Sequence, residues 1–317
     1  IGDRYDRPEW LSVGDFDEDG NQDLVTANFG SDNVSILLGN GNGTFAAVTN
    51  FAAGDHAFSV SVGDFDEDTH QDLAVTNIGG PDNISILLGN GDGTFAAGTT
   101  IETDKESGEI SVGDFDQDGH QDLVTTNHLS NNVSILLGNG DGTFAAATNF
   151  AVGDEPRAVS VTDLNGDGLQ DLVVTNLRDN SVSILLGNGN GTFAAAMHLA
   201  VGSFPFLVSV ADFNGDGIQD LVTANQNSNN VSILLGNGYN ATTIRTFDVT
   251  VNPVNDVPTL VQPDNVTVDE DAPEQTVDLT GITAGGGETQ PLRVTATSSN
   301  TDLIADPTIV YTSDEAT

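Results

Sequence analysis

Short runs in which apolar residues alternate with small or polar ones recur along the chain, and no stretch keeps a 3.6-residue period. Leu11-Ser12-Val13-Gly14 and Val159-Ser160-Val161-Thr162 alternate in this way and predict strands. A second strand is expected at Gln22-Asp23-Leu24-Val25-Thr26-Ala27-Asn28, and a third from Asn33 to Leu38. A fourth runs from Thr143 to Val152 in a later copy of the pattern. Third and fourth are joined by segments such as Gly138-Asn139-Gly140-Asp141-Gly142, whose Asn-Gly and Asp-Gly pairs supply the left-handed positions of hairpin turns.

The pattern is periodic. An Asp-rich nonapeptide begins at Asp15, Asp64, Asp114, Asp163 and Asp212, at intervals of 49, 50, 49 and 49 residues. Thirteen residues after each first Asp stands an Asn: Asn28, Asn77, Asn127, Asn176 and Asn225. A Ser-Ile-Leu-Leu-Gly-Asn-Gly run follows, as at Ser35 to Gly41 and Ser134 to Gly140. The extra residue of the longer interval falls in Ile78-Gly79-Gly80-Pro81-Asp82, which marks a loop. Four short antiparallel strands in each of five repeats of about 40–50 residues is the arithmetic of an all-β fold, a β-propeller. Ile244 to Val251 is a further strand that would complete the fifth blade.

The phrase Asp-Phe-Asp-x-Asp-Gly-x-x-Asp-Leu, as in Asp114 to Leu123, resembles the FG-GAP/VCBS repeat from residue 11 to about 238. The resemblance implies the propeller of integrin-alpha-type heads and of many secreted microbial surface proteins. Residues 1–251 are accordingly expected to form the propeller, and 252–258 (Asn-Pro-Val-Asn-Asp-Val-Pro) a linker. From Thr259 to Thr317 the chain resembles the Ig-like/cadherin-like domains of bacterial adhesins, carried by Val254 to Thr259, Val268 to Asp271 and Leu292 to Thr297. About 60 residues is short of the roughly 100 of such a sandwich, so a partial domain is expected. Residue 1 already lies inside patterned sequence, so a signal peptide is expected to be absent or removed.

Charge narrows the partners. Seven Lys+Arg stand against 48 Asp+Glu, a formal charge of -41, and no basic footprint exists for a phosphate backbone; nucleic acid is excluded. No apolar run approaches the roughly 18 residues of a membrane-crossing helix, so no transmembrane segment is expected. There is no cysteine, so neither disulfides nor thiol chemistry holds the fold.

The acidity concentrates in the nonapeptides, with oxygen side chains at positions 1, 3, 5 and 9. Candidate metal ligands are Asp15, Asp17, Asp19, Asn21 and Asp23 in the first loop, and Asp64, Asp66, Asp68, His70 and Asp72 in the second. The third offers Asp114, Asp116, Asp118, His120 and Asp122, the fourth Asp163, Asn165, Asp167, Leu169 and Asp171. The fifth offers Asp212, Asn214, Asp216, Ile218 and Asp220. Position 7 varies from Asn to His to Leu to Ile, as expected of a ligand that supplies only its backbone carbonyl. Carboxylates at alternate positions of a short loop repel one another unless a cation sits among them. Calcium takes six to eight hard oxygens in a flexible shell, whereas magnesium demands a tighter octahedron, so about five Ca2+ sites of structural role are expected. Position 6 is Gly in four loops but Thr69 in the second, where a left-handed backbone would be strained. The Asp64 to Asp72 site is therefore expected to be the weakest.

In a propeller the metal loops and the Gly-Asn-Gly turns share one face. The opposite face carries the loops that differ between repeats: Asp3 to Trp10, Asp55 to Phe58, Thr103 to Glu109, Asp154 to Arg157 and Ser203 to Phe206. Five of the seven basic residues (Arg4, Arg7, Lys105, Arg157, Arg178) and Tyr5, Trp10, Phe58, Phe204 and Phe206 fall there, a pattern of recognition. The repeated Phe45, Phe95, Phe144 and Phe193 are expected in the core. His56, His70, His120, His128 and His198 show no metal-ligand spacing and no Ser or Cys partner, so no catalytic residue is expected. The expected function is a non-catalytic, calcium-binding extracellular or cell-surface protein in adhesion or assembly, contacting a protein, a glycan or copies of itself. One alternative is a filament subunit completed by strand exchange between chains; another is a carbohydrate-active hydrolase, lyase or lectin on the same scaffold.

Overall fold

The computed structural model describes residues 7–80, 82–236 and, as backbone only, 245–249. The first of the two units into which the chain divides is Ile1–Thr250. The expected Ig-like segment and its linker lie outside the described residues.

Alternating sequence becomes strand throughout. Among the described residues there is no helix, and twenty strands form five antiparallel four-stranded sheets, the blades of a propeller. The first blade contains β1 (Pro8–Gly14), β2 (Asp23–Asn28), β3 (Asn33–Leu37) and β4 (Thr49–Ala52). The second contains β5 (Ala57–Gly63), β6 (Asp72–Asn77), β7 (Asn83–Gly89) and β8 (Phe95–Glu102). The third contains β9 (Ser107–Gly113), β10 (Asp122–Asn127), β11 (Asn132–Leu136) and β12 (Thr148–Ala151). The fourth is β13 (Pro156–Thr162), β14 (Asp171–Asn176), β15 (Ser181–Leu185) and β16 (Met197–Ala200). The fifth is β17 (Pro205–Ala211), β18 (Asp220–Asn225), β19 (Asn230–Leu235) and β20 (Arg245–Val249). Strand β20 pairs with β19, so the sequence after the last repeat does complete the fifth blade.

Successive blades pack face to face along their first strands, β1 on β5, β5 on β9, β9 on β13 and β13 on β17. Each interface joins two sets of repeat positions. Phe16, Val25, Val34 and Ile36 of the first blade meet Val60, Leu73 and Val75 of the second. The same positions recur as Phe65, Ala74, Ile84 and Ile86 against Ile110 and Leu123. A ring edge reinforces the contact: Phe16 meets Phe95, Phe65 meets Phe144 and Phe115 meets Phe193, each T-shaped at 5.6 Å between centroids.

At the two ends the pattern loses its partner. Leu11 is 53% exposed, whereas its counterpart Val60 is 1% exposed. Phe213, at the position of Phe16 (2%), is 49% exposed. Phe45 was expected in the core, yet it is exposed, because among the described residues it has no ring beside it such as Phe95 finds in Phe16.

Candidate functional site

Each Asp-rich loop joins the first and second strands of a blade and is folded by its own carboxylates. The position-1 Asp accepts the amide of position 6, as Gly20 N to Asp15 Oδ2 at 3.0 Å and Thr69 N to Asp64 Oδ2 at 3.1 Å. Position 5 accepts the amide of position 7, as Asn21 N to Asp19 Oδ1 and His120 N to Asp118 Oδ1, both 2.8 Å. The position-9 Asp (Asp23, Asp72, Asp122, Asp171, Asp220) is wholly buried. One of its oxygens takes the amide of position 2 and the other that of a Gly ending the third strand, as Phe65 N at 2.8 Å and Gly89 N at 2.7 Å on Asp72. Burial nonetheless raises Asp72 and Asp122 to about 6, outweighing those bonds, and raises Asp171.

The first three loops gather their ligand atoms. Oxygens of Asp15, Asp17 and Asp19, of Asp64, Asp66 and Asp72, and of Asp114, Asp116 and Asp122 lie within 4.8 Å of one another. In each, the Oδ1 of the first Asp (Asp15, Asp64, Asp114) is buried and has no hydrogen-bond partner. Burial first, and then the charges of their neighbours, hold Asp17 and Asp66 above the usual carboxylate range. A buried carboxylate oxygen without a donor, beside other carboxylates, suits a hard divalent cation.

Loops four and five are built differently. Asp163 Oδ1 accepts Gly166 N at 2.7 Å and Asp167 N at 3.1 Å; Asp212 Oδ1 accepts Gly215 N and Asp216 N. With Asn165 and Asn214 at position 3, these loops satisfy their first Asp from their own backbone. The first Asp of each of these two loops thus has two backbone donors on the oxygen that stands without one in the first three loops. Thr69 does hold the left-handed φ expected of position 6, at +79°.

Position 7 also has a side-chain role that its variability concealed. His70 Nδ1 meets Glu18 of the preceding blade, and His120 Nδ1 meets Glu67 in the same way. That contact comes first among the causes that raise both imidazoles, burial opposing it. Leu169 and Ile218 leave the later loops without this pair. Position 8, a Gln in all five repeats, passed unnoticed. Gln71, Gln121 and Gln170 each accept, through Oε1, the amide of the first Asp of the preceding loop (Asp15, Asp64, Asp114) at 2.7–2.9 Å. Gly14, Gly63 and Gly113 make room: a Cβ there would lie 2.2–2.4 Å from that Gln oxygen. The fourth blade has Thr162 at this place. The readable signal was a Gly before one loop matched to a Gln in the next.

The repeated Asn closes the opposite end of each blade. Asn28 donates to Asn33 Oδ1 and Ser35 Oγ, and Ser35 Oγ donates to Asn50. His198 stands where Asn50 stands, and its Nδ1 lies 3.0 Å from Ser183 Oγ. The expectation that no His has a Ser partner is thus corrected, since pairing of β15 with β16 puts these two opposite. Ser183 is wholly buried and also takes Asn176 Nδ2 and Gly153 N, so it serves the blade's clasp, and among the described residues no carboxylate backs His198.

On that side the first strand of every blade breaks register. The breaks fall between Pro8 and Trp10, Ala57 and Ser59, Ser107 and Ile110, Pro156 and Val159, and Pro205 and Leu207. Six residues before the first Asp of each loop, inside each break, stand Glu9, Phe58, Gly108, Arg157 and Phe206. Bulges re-aim side chains, and these meet across blades. The Arg157 guanidinium lies 4.7 Å from the Phe58 ring centroid and 4.6 Å from that of Phe206. Glu9 and Glu109 bear on its charge. A residue of the fourth blade that touches the second and the fifth sits at the common axis. Of the other residues expected on this face, Arg7 pairs with Glu9 at 2.5 Å and Arg178 with Glu155 at 3.0 Å; Arg4 and Tyr5 lie outside the described residues.

Comparison with known proteins agrees with the repeat. The FG-GAP-like repeat matches residues 15–75, 64–125, 114–174 and 163–223, and the FG-GAP repeat matches 204–244. No curated protein matches the chain. Among solved structures, a functionally unknown protein from Desulfotomaculum acetoxidans is similar at 14% identity and a TM-score of 0.59, covering 79% of this chain and 73% of that one. The periplasmic gluconolactonase of Pseudomonas aeruginosa is similar at 19% identity and a TM-score of 0.58, covering 77% and 70%. An Agrocybe aegerita lectin, described as recognising non-reducing terminal N-acetylglucosamine, is similar at 21% identity and a TM-score of 0.51, covering 76% and 65%. At these identities the likeness is one of fold.

Proposed function

The chain belongs to the FG-GAP-like repeat family, and on that premise we propose that it is a calcium-stabilised, non-catalytic propeller of an exported surface protein, acting in adhesion or in assembly at a cell surface. The supporting observation is the buried, unpartnered Oδ1 of Asp15, Asp64 and Asp114, each among carboxylates. Removing such an oxygen from water without a donor costs about 1–3 kcal/mol or more, and a bound cation reverses the sign. Calcium fills the first three loops first and the fourth and fifth more weakly. Its role is structural: each site adds roughly 0.4–1.4 kcal/mol at calcium concentrations about one to ten times its dissociation constant. The reading of 259–317 as a partial Ig-like module belongs to the same proposal on its sequence alone, as does an extracellular location.

Thermal unfolding in 2 mM calcium and in EDTA tests the reading, with calorimetric titration of calcium into the stripped protein. Expected are a melting temperature several degrees lower in EDTA and about three tighter sites, one of them lost in Asp64→Asn. Identical melting curves would refute it.

A further inference from the structure

We propose that Arg157, held at the propeller axis on the face opposite the metal loops, is the anchor of a binding site for a carboxylate-bearing ligand. This rests on the reading of the chain as a surface protein that binds through that face, and it adds the ligand's chemistry.

Three observations carry it. The bulge in the first strand of the fourth blade puts Arg157 where side chains from the second, fourth and fifth blades meet. Bulges at the same position bring Phe58 and Phe206 under the guanidinium, at 4.7 and 4.6 Å. Yet none of the guanidinium's five N–H donors meets an acceptor among the described residues, and the two aromatic rings lie against it. Arg7 and Arg178, by contrast, have carboxylate partners within 3.0 Å. A half-buried cation with aromatic faces against it and its hydrogen-bonding edge unused is prepared for an acceptor that arrives from outside.

The chemistry of that acceptor follows from the surroundings. A guanidinium edge matches a planar carboxylate through two parallel hydrogen bonds. Glu9 is close enough to act on Arg157, and with the strong net negative charge of the whole chain it opposes a dianionic phosphate more than a monoanion. A single carboxylate on an otherwise neutral body fits best, and two sources share it: a uronic acid residue of a glycan, and an acidic side chain or terminus of a peptide.

Titration calorimetry on the calcium-replete full chain separates them, with sodium glucuronate, N-acetylglutamate and glucose as probes. Binding of glucuronate identifies the sugar source and binding of N-acetylglutamate alone the peptide source; either supports the site. Arg157→Gln is expected to weaken that binding at least tenfold. Arg157→Lys, which keeps the charge but not the paired donors, is expected to weaken it several-fold. Arg178→Gln, on the same face, should bind as wild type. Should Arg157→Gln fold poorly, protection of Arg157 from phenylglyoxal by the bound acid in the wild-type protein gives the same information. No binding of either acid, equal binding of glucose, or undiminished binding by Arg157→Gln or Arg157→Lys overturns the proposal. Calcium-dependent melting is read separately, so a failure here leaves the calcium reading standing.

Discussion

Thr69 offers a measurement in which backbone strain and ion affinity come apart. It holds φ at +79° where the first, third, fourth and fifth loops have glycines at +86°, +92°, +84° and +83°. An L-residue in this region costs roughly 1–2 kcal/mol, with a β-branched side chain at the upper end. Replacing it with Gly removes that cost but returns about 0.5–1 kcal/mol of freedom to the unfolded chain. The net expectation for Thr69→Gly is a gain of about 1 kcal/mol. Gly119→Thr is the mirror experiment. A Cβ at Gly119 meets nothing within 4 Å, so its loss, also about 1 kcal/mol, is torsional alone. Differential scanning calorimetry at saturating calcium should show shifts of roughly 2–4 °C in opposite directions. The amide of residue 69 keeps its bond to Asp64 in either variant, and the strain is present with and without the ion. Calcium affinity of the second loop should therefore stay within twofold of wild type in Thr69→Gly. A variant that is less stable than wild type, or one whose calcium affinity rises tenfold, would show that the strain is relieved by the ion rather than carried by the fold.

Other predictions follow from burial. Glu109 is raised from 4.5 to about 7 by desolvation, which its bond from Val159 N and the charge of Arg157 only partly oppose. The unfolded chain releases this proton first, so its contribution to stability falls as pH rises from about 4.5 to about 7 and is level above. Relative to Glu109→Gln, the wild type should lose roughly 3 kcal/mol across that interval, read as the difference between urea midpoints at pH 4.5 and 8; parallel curves would contradict the assignment. Val60→Ala should cost about 2 kcal/mol in urea unfolding, while Leu11→Ala, at the same repeat position on the uncovered end, should stay within about 0.5 kcal/mol. Comparable losses in the two would mean that the first blade is covered in solution.

The features legible in the sequence were those that a single blade needs for itself. Alternation marked the strands, the Asp spacing marked the loops, and the Asn-Gly pairs marked the hairpins, because each is a local requirement repeated five times. What one blade does to its neighbour was harder to read, since the two partners lie about 50 residues apart. Gln71 with Gly14, and His70 with Glu18, are such pairs, and each looks idle within its own repeat. So does the exposure of Leu11 and Phe213, which depends on what is packed beside them and not on what they are. The axis is a third case, and it inverts the usual value of repetition. Positions that make the same contact with an adjacent blade repeat with it, as Gln71, Gln121 and Gln170 do. At the axis one position from every blade converges, so five identical side chains there would crowd or repel one another. Glu9, Phe58, Gly108, Arg157 and Phe206 differ in charge, size and aromaticity while the bulge that aims them is kept. Constant backbone with divergent side chains is what the proposed binding site requires. It is also why Arg157, unremarkable among the five basic residues of its face when read along the chain, becomes distinctive once the blades are assembled.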